Sequence, residues 1–372
     1  MSTKEIIQEL LSHADIKING KNPWDIQVND ERLYSRVLAQ GSLSIGESYM
    51  DGWWDCEQLD ELFNKILSAR LDKKVKNKNK LKLFIPFLKA KFLNMQSKSR
   101  SIMVAKQHYD LGNDFYSKML DKRMQYTCGY WKNAKTLDQA QECKLDLICK
   151  KLMLKKGEKV LELGCGWGGF AKYAAEKYGV EVTAYNISKE QVNYTREICK
   201  GLPVKIIKSD YREATGIYDK IASIGMCEHV GYKNYGTFME VAHRCLKDGG
   251  LFLVHTIAGD DSLTSTDPWI EKYIFPNSMR PSIMQLGEAM EGLFVMEDWH
   301  NFGADYDKTL MAWYYNFNKN WDQFKTFYNK KFYRMWKYYL LLCAGSFRSR
   351  RNQLWQIVLS KGILPGGYKS IR

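Results

Sequence analysis

A run of glycines between residues 160 and 173 carries the clearest chemical signal in the chain. The stretch reads VLELGCGWGGFAKY and places Gly164, Gly166 and Gly169 in the spacing G-x-G-x-x-G. It follows an apolar run that is typical of a buried strand and precedes a run with helical periodicity. A glycine-rich turn between a strand and a helix lets backbone N–H groups approach a nucleotide-type ligand. The motif therefore predicts a site for either a dinucleotide or S-adenosylmethionine (SAM).

The strand ends that follow the loop favour SAM. Dinucleotide folds place a carboxylate about 20 residues beyond the loop, where it binds the ribose hydroxyls. Here that strand end reads AYNIS, with Asn186 but no acid. The next strand ends in SDYRE, where Asp210 suits the exocyclic amine of adenine and Tyr211 suits a place beside the ring. These features argue against NAD, leave NADP open and predict SAM.

The residue two positions before the first glycine supports the same ligand. Glu162 begins the run E-L-G-C-G-W-G. This run resembles the glycine motif of class I SAM-dependent methyltransferases, in which a carboxylate at that place helps to hold the ammonium group of SAM. The resemblance implies that role for Glu162.

The order of elements predicts an α/β fold. Strands are expected within residues 158–164, 180–188, 203–210, 218–230 and 249–259, with helices between them and Ser188 as the N-cap of one helix. Such alternation predicts a parallel, doubly wound, Rossmann-like sheet of the class I SAM-methyltransferase type, preceded by a small helical N-terminal domain. The chain from about residue 320 to 360 is predicted to be helical.

Three parts are expected along the chain. Residues 1–70 predict a small helical domain that binds lipid or forms a dimer, residues 71–104 a basic amphipathic linker, and residues 105–372 the SAM-dependent catalytic domain. The stretch from residue 70 to 100 holds eleven Lys and Arg residues and one acid, Asp72, with apolar residues between them. It reads either as a solvated linker or as a segment that lies on anionic lipid.

Composition narrows the class of partner. The 372 residues carry a formal net charge of +14, which predicts an anionic partner: nucleic acid, an acidic membrane surface or an anionic substrate. The first residues lack the apolar core of a signal peptide, and no apolar run reaches the roughly 20 residues that a membrane span needs. The nine cysteines have no metal-ligand spacing, so free thiols in the cytoplasm and no metal site are expected.

Polar side chains also gather at the predicted strand ends. Glu228 and His229 follow the fourth strand, and His255 lies near the end of the fifth. Tyr126 and Cys128 precede the sheet, and Tyr306 follows it. Singly, a histidine in an apolar strand or a lone cysteine is usually a core residue, but together with a cofactor loop the set predicts a polar cluster in an apolar pocket.

Several stretches across nearly the whole chain resemble the bacterial cyclopropane-fatty-acyl-phospholipid synthases, which are related to the mycolic acid cyclopropane synthases. They are GESYMDGWW (46–54), HYDLGNDFY (108–116), QYTCGYW (125–131), LELGCGWGG, CEHVG, LVHTI, DPWIEKYIFPN (267–277), EDWHNFGADYDKTL (297–310) and CAGSFR (343–348). The resemblance includes the N-terminal part, which simpler methyltransferases lack. It implies methylene transfer from SAM to a cis double bond of an unsaturated phospholipid acyl chain.

The resemblance also implies the base. After methyl transfer a carbocation remains, and a proton must leave the new methyl group before the ring closes. In the family, a bound bicarbonate ion takes that proton. Carried over to this chain, the ion is held by the side chains of Glu228, His255 and Tyr306 and by the backbone N–H groups of Cys128 and Ile257.

Two further residues enter the catalytic set, and the SAM contacts carry over with them. The ring of Tyr109 is a candidate shelter for the cation, and Cys343 is a reactive thiol expected near the acyl channel, with direct catalysis as the lesser alternative. The implied SAM contacts are Tyr126, Thr127, Glu162, Gly164, Cys165, Gly166, Gly168, Asn186, Ile187, Gln191, Asp210 and Tyr211.

The expected setting is a homodimer in the cytoplasm, peripherally associated with the inner membrane surface through anionic phospholipid. Tyr49, Trp53 and Trp54 are candidate apolar anchors. Three alternatives stay open: a SAM-dependent lipid C- or N-methyltransferase without ring closure, an RNA methyltransferase, and a lipid-binding protein without activity. Nucleic acid is not expected, because GMCEHVG stands where an N-P-P-Y-like tetrapeptide would be needed.

Overall fold

The computed structural model describes residues 2–71 and 112–372. These residues form two compact units. The first contains residues 2–71 with Ser265–Pro276 and Tyr306–Asn352, and the second contains residues 112–264 with Asn277–Asp305 and Gln353–Arg372. The predicted boundaries at residues 70 and 104 stay predictions, and the basic segment from residue 72 onward lies outside the described residues.

Helices and strands are numbered in chain order. The helices are α1 (Thr3–Ser12), α2 (Arg32–Gln40), α3 (Ser42–Met50), α4 (Leu59–Ser68), α5 (Gly112–Met119), α6 (Leu137–Lys151), α7 (Gly169–Tyr178), α8 (Lys189–Ile198), α9 (Cys227–Val230), α10 (Tyr235–Cys245), α11 (Pro268–Tyr273), α12 (Ile283–Met290), α13 (Ala304–Phe324) and α14 (Lys330–Arg348). The strands are β1 (Gln27–Val28), β2 (Trp54–Asp55), β3 (Lys159–Leu163), β4 (Glu181–Asn186), β5 (Val204–Lys208), β6 (Tyr218–Ile224), β7 (Leu246–Ala258), β8 (Val295–Asn301) and β9 (Gln353–Ser360).

An aromatic cluster forms the core of the first unit. The ring centroid of Tyr338 lies 5.5 Å from that of Tyr49, 5.1 Å from Phe63 and 4.5 Å from Trp269. These four residues come from α3, α4, α11 and α14, so the unit is completed only by segments that are far apart in sequence. Ring pairs at such distances stabilise a core beyond the apolar area they bury.

The three candidate membrane anchors near residue 50 do not offer free apolar surface. Tyr49 and Trp54 are only 2% and 1% exposed, because they belong to the aromatic core of the first unit. Trp53 is half-buried beneath the guanidinium groups of Arg32 and Arg36, at 4.7 and 4.8 Å from its ring centroid. The expectation that these three residues are anchors is therefore wrong for Tyr49 and Trp54.

The CAG motif in α14 marks a close helix contact within the first unit. A Cβ atom added to Gly345 would lie 2.6 Å from the carbonyl oxygen of Asp60 in α4, so only glycine lets the two backbones approach this closely. The guanidinium of Arg348, one turn later, pairs with Asp60 at 2.8 Å and with Asp307 at 3.0 Å. These contacts give the motif a packing role.

A seven-stranded sheet forms the centre of the second unit, in the order β5-β4-β3-β6-β7-β9-β8. The first five strands are parallel, as predicted. Successive residues of β3 alternate between two apolar clusters: Leu161 and Leu163 join one, and Val160 joins the other. Helices therefore cover both faces, and the predicted doubly wound α/β class is confirmed.

The last two strands of the sheet were not predicted. β9 runs antiparallel to β7, and β8 runs antiparallel to β9, so the sheet is mixed. The expectation of a helix up to residue 360 is wrong from residue 353 onward. The run QLWQIVLS is buried along nearly its whole length, and a short buried apolar run does not distinguish a strand from a helix by its periodicity.

The fourth predicted strand ends earlier than expected. β6 stops at Ile224, and Gly225 then takes a φ of +66°, which favours glycine and ends the strand. The chain continues into the single turn of α9, which carries Glu228. The N-cap prediction for α8 is confirmed, because the side chain of Ser188 accepts the backbone N–H of Gln191.

The described residues offer neither a membrane-spanning helix nor a cluster of metal ligands. Neither 2–71 nor 112–372 contains a helix long and apolar enough to cross a membrane. The same two ranges contain no group of three His, Cys, Asp or Glu side chains arranged to hold a metal ion.

Candidate active site

The glycine loop after β3 forms an open cradle. Gly166 has a φ of +51°, and a Cβ atom added there would meet no atom within 4 Å. Gly168 has a φ of +79° and lies so close to the side chain of Thr195 that an added Cβ would collide with it. The loop closes through the N–H of Gly168, which donates to the carbonyl of Cys165 at 2.8 Å. The backbone of Gly166 therefore borders open space, which is the arrangement that a ligand cradle requires.

Asn186, at the end of β4, organises the next wall of the cradle. Its amide nitrogen donates to the carbonyl of Gly166 and to Oε1 of Gln191, both at 3.0 Å. The Nε2 atom of Gln191 is buried and has no hydrogen-bond partner within the described chain. Ile187 follows Asn186 directly and is half-buried. A buried amide donor without a partner is the kind of group that a bound ligand satisfies.

Glu162 lies in β3 and is almost fully buried. Burial raises the pKa of its carboxyl group to about 8, although the nearby charge of Lys144 lowers it. The Oε2 atom accepts no hydrogen bond from any described residue. A buried carboxylate oxygen without a donor fits an ammonium group of a ligand, because leaving it unpaired is costly.

Asp210 and Tyr211 follow β5. Asp210 caps a single 3₁₀ turn, Tyr211–Glu213, and accepts the backbone N–H of Arg212 at 3.0 Å. The guanidinium of Arg212 lies 3.1 Å from the same carboxylate oxygen, Oδ1. Asp210 is therefore a turn residue in this structure, and its role toward an adenine stays a prediction.

The segment from residue 125 to 128 is linked to the glycine loop by packed aromatic rings, in edge-on and tilted pairs. The ring centroid of Tyr126 lies 5.3 Å from that of Tyr116 in α5, which in turn lies 4.8 Å from Trp167 in the loop. Thr127 is half-buried and Cys128 is fully buried. The SAM-contact residues predicted before the sheet and within the loop therefore belong to one connected part of the second unit.

Glu228 lies in α9, directly after β6. Its Oε1 atom accepts the backbone N–H of Ile257 at 2.6 Å. Burial raises the pKa of Glu228 to about 7, and the N–H of Ile257 opposes that shift. Oε2 is buried and accepts no hydrogen bond within residues 2–71 and 112–372. The backbone N–H of Ile257, which was expected to hold the bicarbonate ion, is thus bound to the carboxylate of Glu228.

His255 lies on β7, level with the end of β6 through the pairing Ile224↔His255. Its Nδ1 atom lies 3.3 Å from the amide nitrogen of Gln356 in β9. Because that amide donates, Nδ1 accepts and the ring proton lies on Nε2. Burial lowers the pKa of His255 well below its usual value, so the imidazole is neutral. The described residues offer Nε2 no partner.

Together these two residues offer one acceptor and one donor in a buried place. His255 and Ile257 are two residues apart on β7, so their side chains leave the same face, and the carboxylate of Glu228 is bound at the backbone of Ile257. A hydrogencarbonate ion has both an O–H to donate and oxygens that accept. The unpaired Oε2 of Glu228 and Nε2–H of His255 fit such an ion.

The remaining predicted catalytic residues are not among the described residues of the second unit. Tyr306 belongs to the first unit, where its ring packs 4.4 Å from that of Phe347. Cys343 also lies in the first unit, and burial raises the pKa of its thiol to about 12, which disfavours a thiolate. Tyr109 lies outside the described residues. The second unit therefore contains Cys128, Glu228, His255 and Ile257, and the catalytic roles of Tyr306, Cys343 and Tyr109 stay predictions.

Three buried polar residues escaped the sequence analysis. Gln356 orients His255, and both Gln141 and Lys144 on α6 contact the segment that carries Thr127. Gln141 and Lys144 are three residues apart in a helix whose other inward positions, apart from Lys151 at its end, are apolar, such as Leu145. The polar pair Gln141 and Lys144 on a mostly apolar helix face was a sequence signal that could have identified them. Gln356 had none, because its role depends on strand pairing.

Comparison with known proteins agrees with this geometry. Residues 96–357 match the family model described as mycolic acid cyclopropane synthetase. The cyclopropane-fatty-acyl-phospholipid synthase of Escherichia coli (strain K12) is 52% identical over 97% of this chain and 94% of its own length. Sphingolipid C9-methyltransferase A of Emericella nidulans is 34% identical over 73% of this chain and 56% of its own length.

A solved structure supports the fold. The mycolic acid cyclopropane synthase CmaA1, complexed with SAH and CTAB, superposes with a TM-score of 0.65 at 30% identity and covers 70% of this chain and 98% of its own. The match includes an enzyme solved with the SAM product S-adenosylhomocysteine (SAH), in agreement with the open cradle at Gly166. The chain belongs to the mycolic acid cyclopropane synthetase family and is a SAM-dependent enzyme of that family.

Proposed function

We propose that the protein transfers a methylene group from SAM to the cis double bond of unsaturated acyl chains in membrane phospholipids, forming a cyclopropane ring. The observation that carries the proposal is the buried pair at the strand ends, the unpaired Oε2 of Glu228 and the unpaired Nε2 of His255. An ordinary methyl transfer to nitrogen or oxygen does not need such a pair to bind an ion. The E. coli synthase, with 52% identity over nearly the full chain, supports the same reaction.

SAM, when bound, supplies the methyl group that becomes the ring carbon. Glu162 would hold its ammonium group, since Oε2 is buried and unpaired. The Nε2 of Gln191 is a buried donor that the described residues leave without a partner, and the backbone at Gly166 gives the open approach. Asp210 and Tyr211 are proposed for the adenine. Aligning the sulfonium with the alkene in a site without water is the main contribution of such a pocket.

A bound bicarbonate ion is the proposed base, and it would accept one proton from the new methyl group. Glu228 would accept the O–H of the ion through Oε2, and His255 would donate to it through Nε2–H. Ile257 would act through Glu228, whose carboxylate its N–H orients at 2.6 Å. Tyr306 and the N–H of Cys128 are further proposed donors, on the strength of the family resemblance.

The proposed substrate requires the enzyme to reach a membrane surface. The net charge of +14 suits an anionic surface, and the basic segment 72–100 would contribute to it. Among the described residues, the turn between α13 and α14 leaves Phe327 81% exposed, with the exposed Lys325 and Lys330 close by in sequence. An exposed aromatic between lysines suits the interface of an anionic bilayer. Peripheral membrane association is therefore proposed with the reaction, and a homodimer is proposed on the strength of the family resemblance alone.

A related reaction is the second candidate. The similarity to sphingolipid C9-methyltransferase A of Emericella nidulans favours a lipid C-methyltransferase that adds a methyl group without closing a ring. Such an enzyme would use the same SAM cradle. The two reactions differ in the product, since one leaves a ring and the other a methyl branch.

The deciding experiment uses the purified protein, SAM with a labelled methyl group and anionic vesicles of cis-monounsaturated phospholipid. Released acyl chains are analysed by mass spectrometry and proton NMR. Ring protons on chains that gained one CH₂ support the proposal, and a branched methyl supports the second candidate. Vesicles with saturated chains are the control, and label on the head group would overturn both.

A separate measurement tests membrane docking. Phe327→Ser should weaken binding to anionic vesicles by about tenfold, because roughly 1.5 kcal/mol of apolar burial is lost. The matched control is Ile217→Ser, which removes another exposed apolar side chain just before β6. If the two variants bind vesicles equally well, the turn that carries Phe327 is not part of the docking surface.

A further inference from the structure

A fully buried lysine lies beside the cofactor segment, and the proposed mechanism does not use it. Lys144 is on the inward face of α6, with no exposed surface. Its Nζ atom donates to Oε1 of Gln125 at 2.5 Å and to Oγ1 of Thr127 at 3.0 Å. Both acceptors are neutral. A buried ammonium with only neutral acceptors is costly unless its charge serves another group.

The same face of α6 holds the backbone of this segment. The amide nitrogen of Gln141, one turn before Lys144, donates to the carbonyl of Thr127 at 2.7 Å and to that of Gln125 at 3.4 Å. The carbonyl of Ala140 accepts the N–H of Tyr130 at 2.9 Å. Side chain and backbone of the residues on either side of Tyr126 are thus fixed to one rigid helix.

The titratable groups around Lys144 come from several elements. Asp121 precedes the segment, Cys128 belongs to it, and Glu162 lies on β3. The buried His255 on β7 also responds to the charge of Lys144, which helps to keep its imidazole neutral. Asp121 is engaged locally, because its carboxylate accepts the N–H groups of Gln125 at 2.8 Å and of Arg123 at 2.9 Å. The carboxylate of Glu162 has a buried oxygen without a partner. Glu162 is therefore the acid that most needs the positive charge of Lys144.

The pKa values of the pair agree with this arrangement. Burial lowers the pKa of Lys144 to about 8, and the charges of Asp121, Cys128 and Glu162 oppose that shift. Burial raises the pKa of Glu162 to about 8, and Lys144 lowers it. Each charge therefore supports the other, and removing the ammonium would leave Glu162 more easily protonated.

We infer that Lys144 is a positioning residue for the SAM site: with Gln141 it fixes the segment that carries Tyr126, Thr127 and Cys128, and its positive charge favours the ionised carboxylate of Glu162 that the ammonium group of the ligand would bind. The inference rests on the SAM site of the proposed function, and it does not depend on ring formation.

The test measures the affinity of the purified full-length protein for SAH by calorimetry from about pH 6 to 9. Lys144→Met should weaken binding about tenfold at pH 7, and the pH below which affinity falls should rise by about one unit, since the pKa of Glu162 rises. Gln141→Met keeps the charge, so it should lower kcat and leave the pH profile in place. Lys150→Met is the matched control, because Lys150 is exposed on the same helix and pairs with Asp146.

A double-mutant cycle identifies the route of the effect. If the charge of Lys144 acts through Glu162, adding Lys144→Met to Glu162→Gln should no longer shift the pH profile of SAH affinity, and a shift of the same size in that background would overturn the inference. A folded Lys144→Met protein with the wild-type pH profile would also overturn it.

If Lys144→Met does not fold, Thr127→Val gives the second test, because it removes one acceptor of the ammonium. It should move the pH profile in the same direction by less, and an unchanged profile would overturn the inference. SAH binding is read without turnover. Intact binding with no ring formation would therefore refute the proposed reaction and leave the role of Lys144 standing.

Discussion

The second unit contains two polar clusters, each built around a buried carboxyl group, and they differ in whether that carboxyl group finds all its hydrogen-bond partners within the described residues. In the reacting cluster (Glu228, His255 and Gln356), the described residues leave Oε2 of Glu228 and Nε2 of His255 without partners. In the latch cluster (Lys151, Asp298, His300, Ser370 and Arg372), Asp298 receives two bonds from Arg372 at 2.6 Å, one from Ser370 at 2.9 Å and an ion pair from Lys151 at 3.1 Å.

The difference separates a ligand site from a structural one. Folding does not leave buried donors and acceptors unpaired without a cost, so the reacting cluster is complete only when a ligand supplies the missing bonds. The carboxylate of Asp298 in the latch cluster finds its partners within the chain itself. Its bonds join α6 and β8 to Ser370 and Arg372. Changes in the first cluster should therefore affect activity, and changes in the second should affect stability.

The largest expected effect is on the reaction. Glu228→Gln keeps the shape and the bond from Ile257 and removes the carboxylate that would accept the proton of the ion. We expect kcat to fall by about 10²- to 10⁴-fold, the usual contribution of general acid–base catalysis, because the proposed base loses its acceptor, with an unchanged melting temperature at about pH 5. Ring formation from labelled SAM measures it. Activity within about twofold of wild type would place Glu228 with the structural residues.

The next effect is on stability. Asp298→Ala leaves the buried Lys151 and the guanidinium of Arg372 without their carboxylate, and we expect the free energy of unfolding to fall by about 3–5 kcal/mol. Denaturant unfolding measures it, with kcat per folded molecule retained. The control is Asp322→Ala, whose pair with Lys325 is exposed and should be worth below about 1 kcal/mol. Equal losses of unfolding free energy in the two variants would contradict the structural role of the latch cluster.

The two carboxyl groups should also give stability opposite slopes with pH. Burial raises the pKa of Glu228 from 4.5 to about 7, so folding favours its protonated form and this contribution is lost as pH rises toward 7. Burial alone would raise the pKa of Asp298, but Arg372 and Lys151 lower it from 3.8 to about 2. Its contribution is therefore present above about pH 4 and lost as pH falls through 2.

The Glu228 slope can be isolated by comparing unfolding free energies at about pH 5 and pH 8. Between these two pH values, the free energy of unfolding of the wild type should fall by roughly 2–3 kcal/mol more than that of Glu228→Gln. Glu162 titrates in both proteins and cancels in the difference. Parallel curves for the two proteins would mean that Glu228 is ionised with its usual pKa.

The smallest effect concerns one hydroxyl of the latch cluster. Ser370→Ala removes the donor to Oδ1 of Asp298 and should lower the free energy of unfolding by about 1 kcal/mol. Ser117→Ala, which removes an exposed hydroxyl bonded to its own helix, should cost below about 0.5 kcal/mol. If the two variants are indistinguishable, Arg372 and Lys151 alone hold Asp298.

Local patterns predicted the parts of the fold that local forces determine. The parallel strands and the loop at Gly166 follow from apolar runs and glycine spacing, and the N-cap at Ser188 follows from one side chain and one turn. Glu228 and His255 were predicted as site residues because carboxyl ends of parallel strands meet at one edge, and Glu162 was predicted from the resemblance of its glycine motif.

Partners far apart in sequence were beyond such patterns. The antiparallel strands β8 and β9 depend on pairing across the sheet, and so does the bond from Gln356 to His255. The assignment of Tyr49 and Trp54 as surface anchors failed because their covering residue, Tyr338, lies almost 300 positions away. The bond between the N–H of Ile257 and Glu228 needed the register of β6 and β7 together with the turn at α9.

The aromatic core of the first unit also constrains the order of events during synthesis on the ribosome. Tyr49 and Trp54 leave the ribosome early, but Tyr338 is made about 280 residues later. At roughly 5–20 residues per second, that interval is about 15–60 s. The helices α1–α4 therefore spend this time with apolar rings exposed, in need of a chaperone or of a transient partner. A fragment that ends at residue 71 would carry the same exposed surface permanently.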